Sequence, residues 1–137
     1  MPKRKISLEV GDSFTFQNQF GLHLHVIVAE SSPNDSAIIM LVYISSQDVR
    51  YKDKTTEIQV GEHPFITLPS WVRYQNIIIC NRAEVEKNIV DYFGKIEEKL
   101  LIRIQEGILK SSFVAKRNRE LFFEWNTDKK YREIYIN

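Results

Sequence analysis

Apolar and polar residues alternate through most of the first eighty positions, and then the period changes. After a Gly11-Asp12 turn signal, residues 13–17 place Phe14 and Phe16 on one side, as a half-buried strand does. Residues 17–21 form the first connection, and residues 23–29 give a second strand centred on Val26, Ile27 and Val28. A polar loop with Pro33, Asn34 and Asp35 follows. Residues 37–44 are continuously apolar and β-branched, which predicts a strand covered on both faces. A polar loop at 45–54 leads to alternation again at 55–60. Gly61 and Pro64 break the chain, and short strands are expected at 65–68, 70–74 and 77–80.

Beyond residue 80 the spacing becomes helical. Asn81 is an N-cap, with Glu84 three residues on, for a short helix at 82–87. A longer helix is expected from Lys95 to about residue 109, where Ile96, Leu100, Leu101, Ile104 and Ile108 fall on one face. Five to seven short, mostly antiparallel strands capped by one late helix predict a mainly β fold. A small SH3-like barrel is the natural closed form, because closure removes exposed strand edges.

The size, 137 residues, suits one domain, read as a barrel over 1–115 and an extension over 116–137. That extension holds Phe122, Phe123, Trp125, Tyr131 and Tyr135, too aromatic for a free tail, so it is expected to pack on the same domain or on a partner. The net charge is only +1, from 19 basic and 18 acidic residues, so nucleic-acid binding needs a local patch. Basic residues do cluster at Lys3 to Lys5 and at Lys116, Arg117 and Arg119. Cys80 is the only cysteine, which excludes an internal disulfide and fits a reducing cytoplasm. It lies in an apolar run and reads as a small hydrophobe rather than a nucleophile. No signal peptide or membrane span is expected.

The ordered set over residues 10–112 resembles the PemK/MazF family of toxin ribonucleases. Gly11-Asp12 with its strand looks like the family's opening. Residues 39–46 look like the strand ending in Thr or Ser, Ser70-Trp71-Val72 like the Ser-x-Val step, and 95–109 like the closing helix. The resemblance implies an SH3-like barrel and metal-independent cleavage of single-stranded RNA by attack of the ribose 2′-hydroxyl. It also implies an antitoxin partner, a homodimer and no cofactor. Such chemistry needs a base, an acid and a cation for the phosphorane charge. Where the family carries an Arg-Pro pair, this chain has His23 and Leu24. Ser45 stands at the Thr position, Arg73 matches a late-strand Arg, and Gln75 replaces an Asp.

Arg73, His23 and Ser45 are therefore the candidate catalytic residues. His25, Gln75, Trp71, His63 and Ser70 are the candidate RNA-binding ones. His23 and His25 alternate on one strand and so share a face. They form either an acid–base pair or a polar edge, and with no third ligand in the spacing no metal site is expected. Arg73, beside Trp71 and Tyr74, suits a phosphate next to stacked bases, or else is an ordinary strand arginine. Trp71 also reads as core or interface, His63 as a turn residue, and Ser45 as a strand end. Two functions follow: a toxin-type endoribonuclease, or a catalytically silent barrel that binds RNA or a protein partner.

Overall fold

The computed structural model describes residues 6–31, 37–46 and 52–126. The alternating segments form strands β1 (Asp12–Asn18) and β2 (Gly21–Glu30), a hairpin closed by Gln19 and Phe20. The apolar run forms β3 (Ile38–Ser45), antiparallel to β2. β4 (Glu57–Ile58), β5 (Ser70–Val72), β6 (Ile78–Asn81) and β7 (Asp91–Lys95) complete one sheet in the order β4-β5-β3-β2-β1-β7. The long β3 shares its outer edge between two partners: Ile44 and Ser45 pair with β5, and residues 38–41 pair with β6. Bulges at Val28 in β2 and at Phe93 in β7, the latter opposite Ser13 and Phe14 of β1, bend the sheet. The result is mainly β, a strongly curled antiparallel half-barrel with helices packed on it, the small-barrel class expected.

Each face of the sheet has its own apolar core. Leu24, Val26, Val28, Met40, Val42, Ile44 and Val72 face α2 (Glu98–Lys110) and α3 (Lys116–Trp125). Phe14, Ile27, Ile39 and Leu41 face Leu8 and Val85, the latter on α1 (Arg82–Lys87). The helical face of α2 is as read: Leu100, Ile104 and Ile108 are buried, with Ile96 and Leu101 packed partly against them. Asn81 caps α1, its side chain accepting from Ala83 and Glu84 N–H.

Three local expectations change. Residues 65–68 form no strand, and β4 keeps only two residues of the 55–60 alternation. Residues 91–95 are the edge strand β7, so α2 starts at Glu98 and not at Lys95. Asp91, Tyr92 and Phe93 are all exposed, so this strand carries no alternation to detect. Residues 116–125 are helical, and Phe122 is fully buried in the α2-side core. The basic residues at 3–5 and the aromatic residues Tyr131 and Tyr135 lie outside the described residues. No described helix is long and apolar enough to cross a membrane.

Candidate functional site

Antiparallel pairing puts directly opposed residues on one face of a sheet. Phe14 opposes His25, and His25 opposes Tyr43. Continuing the register that pairs Ile44 with Val72 brings Arg73 opposite Tyr43, and Arg73 N–H donates to Tyr43 O at 2.9 Å. One row of side chains thus runs Phe14, His25, Tyr43, Arg73 across four consecutive segments of the sheet. His23 lies two residues before His25, its ring 4.9 Å from that of Tyr43. Phe20, at the hairpin tip, stacks on Tyr43 at 5.8 Å and is 51% exposed.

The two histidines are not equivalent. His25 is fully buried, stacked on Phe14 and edge-on to Phe16. Burial pushes its pKa down to about 4; the His23 carbonyl works against that shift and the His23 ring adds slightly to it. It is a neutral ring at ordinary pH, with no surface for RNA to touch. Its Nδ1 lies 2.9 Å from His23 O, and a carbonyl only accepts, so Nδ1 carries the proton. Nε2 then accepts from the Asn18 side-chain amide at 3.2 Å. His23 is half-buried, and its Nε2 donates to Phe20 O at 3.1 Å. That bond fixes the tautomer and leaves the Nδ1 lone pair for chemistry.

His23 and Ser45 line one cavity of about 570 Å³, walled by Leu22, Ile44, Phe65 and Phe93 and also touched by Ser70. Ser45 is largely enclosed there, and Ser70 is buried with its hydroxyl donating to Leu68 O, so Ser70 has no free donor for a ligand. Arg73 is 6% exposed; its charge acts on Tyr43, whose pKa is raised by burial and partly lowered again by Arg73 and Asn76. Gln75 is exposed and lines a second cavity, about 470 Å³, with Phe16, Asn18, Phe20 and Asn76. Trp71 is half-buried under Lys54, whose ammonium lies 3.7 Å from the ring centroid.

His63 belongs elsewhere. It is buried, its pKa lowered by that burial, and it sits edge-on to Phe93. Its Nδ1 accepts from Phe65 N–H at 3.0 Å, so Nε2 donates to Ser13 Oγ at 2.9 Å. Ser13 Oγ donates in turn to Gly94 O. The hydroxyl is therefore not activated by a base. The pair clasps the loop after Gly61 to β1 and β7, and His63 does not reach the His23 cavity as a ligand-binding group. Among the described residues no group of three or more His, Cys, Asp or Glu is placed to hold a metal.

The sequence reading missed Tyr43, Asn18 and Phe20. Tyr43 sits inside an apolar run and reads as core; only its cross-strand neighbours reveal it as the ring joining His23, His25 and Arg73.

No family model and no curated protein matches the chain. Among solved structures, an endoribonuclease in complex with its cognate antitoxin, from a mycobacterial species, is similar over 76% of this chain and 93% of that one. Identity is 15% and the TM-score 0.53. The shared property is the fold. The likeness is that of a curled sheet with late helices, the small-barrel class expected from residues 10–112.

Proposed function

We propose that the chain is a toxin-type endoribonuclease of the PemK/MazF kind, cutting single-stranded RNA without a metal ion and held in check by an antitoxin. The observation that carries this reading is the orientation of His23. Its Nε2–H is tied to Phe20 O, which leaves Nδ1 as the nitrogen without a proton, and the residue lines the cavity it shares with Ser45. The solved structure of similar fold, an endoribonuclease bound to its antitoxin, supports the class of activity and of partner.

In this mechanism His23 Nδ1 takes the proton of a ribose 2′-hydroxyl. The 2′-oxygen attacks the adjacent phosphorus, and the 5′-oxygen leaves with a proton returned by the same imidazolium. Ser45 donates to a phosphate oxygen, and Arg73 supplies a permanent positive charge beside Tyr43 as the phosphorane forms. The products are a 2′,3′-cyclic phosphate and a 5′-hydroxyl.

A second reading has its own support. His25 is enclosed and neutral, so only one of the two paired imidazoles is within reach of a substrate. A barrel that binds RNA or a protein partner without cutting fits that single group. The deciding experiment incubates the protein with long single-stranded RNA in excess chelator. Cleavage leaving cyclic phosphate ends, lost in His23→Ala, supports the enzyme. Retarded but intact RNA supports the binding module.

A homodimer and the packing of residues 116–137 as an extension belong to the same proposal. Phe122 finds its cover within the chain, so support for the dimer rests on the edge strand β7, with exposed Tyr92 and Phe93. Light scattering at tens of micromolar giving the mass of one chain would remove it.

A further inference from the structure

We propose that His25 is a positioning residue that holds the proton-transfer nitrogen of His23 in place through the β1–β2 hairpin, an inference that rests on the role given to His23 above. Four hydrogen bonds close a circuit. His25 Nδ1–H donates to the backbone oxygen of His23 at 2.9 Å. The Asn18 side-chain amide donates to His25 Nε2 at 3.2 Å. Asn18 Oδ1 accepts from Phe20 N–H at 2.6 Å, an Asx turn at the hairpin tip. The Phe20 carbonyl accepts from His23 Nε2 at 3.1 Å. The circuit begins and ends on the same residue, once through its backbone and once through its ring.

The direction of each bond follows from its neighbour. A carbonyl fixes the proton on His25 Nδ1, so Nε2 can only accept. Asn18 must then present its NH₂ to His25, which turns its oxygen toward Phe20 N–H. Phe20 is thereby held with its carbonyl toward His23. That carbonyl selects the tautomer in which Nδ1 is the bare nitrogen. Burial of His25 between Phe14 and Tyr43 keeps the first member of the circuit from shifting. A proton-transfer group oriented by a third group is the arrangement that nucleophilic and general-base sites require, and here the orienting group is a backbone carbonyl set from a buried imidazole.

The alternative is that His25 only fills space between two aromatic rings, and the experiment separates the two. His25→Phe keeps an aromatic ring between Phe14 and Tyr43 and deletes both hydrogen bonds. His25→Gln keeps an acceptor near the Nε2 position for Asn18. Asn18→Ala, on the half-exposed hairpin, breaks two links without touching the core. Each purified variant is checked for folding by circular dichroism. Nitrogen-15 spectra then report the His23 tautomer, and hydrogen exchange reports the Phe20 amide. The parent should show His23 protonated on Nε2 and His25 on Nδ1. In His25→Phe and Asn18→Ala, His23 should become a tautomer mixture, and the Phe20 amide should exchange about tenfold faster or more. His25→Gln should recover much of the protection. In RNA cleavage, kcat should fall by roughly 10²-fold with little change in KM, as misplacement of a reacting group does. An unchanged His23 tautomer and an equally protected Phe20 amide in folded His25→Phe would overturn the proposal. The spectra need no RNA. A circuit found intact in a protein that cleaves nothing therefore removes the ribonuclease reading, and with it the proton-transfer role of His23, while the hold of His25 on the His23 tautomer stands.

Discussion

Gly107 of α2 lies directly against the Tyr74 hydroxyl: a Cβ built on Gly107 would sit 1.9 Å from Tyr74 Oη and 2.6 Å from Thr56 Oγ1. Tyr74 is fully buried; it donates to Ile104 O at 2.8 Å and shares a 2.7 Å bond with Thr56 Oγ1. The helix can approach the sheet this closely only where it has no side chain. Gly107→Ala should therefore lower stability by about 2–4 kcal/mol, from overpacking together with strained buried hydrogen bonds. Urea unfolding would measure it. Adding Tyr74→Phe should recover only part of the loss, because the ring carbon would still stand 2.4 Å from the new methyl. Full additivity of the two changes would contradict the contact.

Gln105 should be a second structural keystone of α2. The bulge leaves Val28 as the extra residue between the pairs Ile27–Leu41 and Ala29–Met40. Its carbonyl accepts instead from the buried Gln105 side chain at 3.0 Å. Gln105→Leu strands that carbonyl and should cost about 1–3 kcal/mol. A melting temperature equal to the parent's would show that water satisfies the group.

The buried histidines should make folding acid-sensitive. The pKa of His25 in the folded chain is about 4, below its ordinary 6.5, so the unfolded chain binds the extra proton between those values. Stability is thus full above about pH 6.5 and is lost as pH falls toward 4. His63, also lowered by burial, acts with the same sign. The His25 contribution is of the order of 3 kcal/mol at most. Denaturant midpoints measured from pH 4 to 7 should rise with pH in the parent and rise less steeply in His25→Phe.

Kinetics should test His23 and Arg73 in their catalytic roles. His23→Ala should lower the cleavage rate by about 10²–10⁴, the span of general acid–base catalysis. Arg73→Ala should cost roughly 10²–10³, and Arg73→Lys should recover part of it, since lysine keeps the charge but not the planar fork. Because Arg73 is enclosed, each variant needs a circular dichroism check. A folded Arg73→Ala that cuts as fast as the parent would move the site away from the Tyr43 row.

Cys80 should be a poor nucleophile. Burial pushes its thiol up to about 11. At pH 8 its reaction with a disulfide reagent should be slower than that of an unfolded-chain thiol by about 10²-fold, following the thiolate fraction. Fast labelling of the native protein would mean that the second core opens readily around β6.

What the sequence determined was local and periodic. Alternation around Phe14 and Val26 and the unbroken run ending at Ile44 give strands, because side chains on a strand face opposite ways with period two. The Leu100, Ile104, Ile108 spacing and the Asn81 cap give helices for the same kind of near-neighbour reason. Boundaries failed where no local signal exists: Glu97 and Ala115 precede α2 and α3 without a side-chain cap bond, and exposed β7 has no apolar rhythm. The candidate site was legible as residue types, Arg73, His23 and Ser45 among them, but not as an arrangement. Which histidine is enclosed depends on Phe14 and Tyr43, brought to His25 by two different strand registers. Which nitrogen of His23 is bare depends on the Phe20 carbonyl, and the Val28 carbonyl finds its donor 77 residues away. Burial and hydrogen-bond direction are properties of neighbours in space, so only the tertiary structure could decide them.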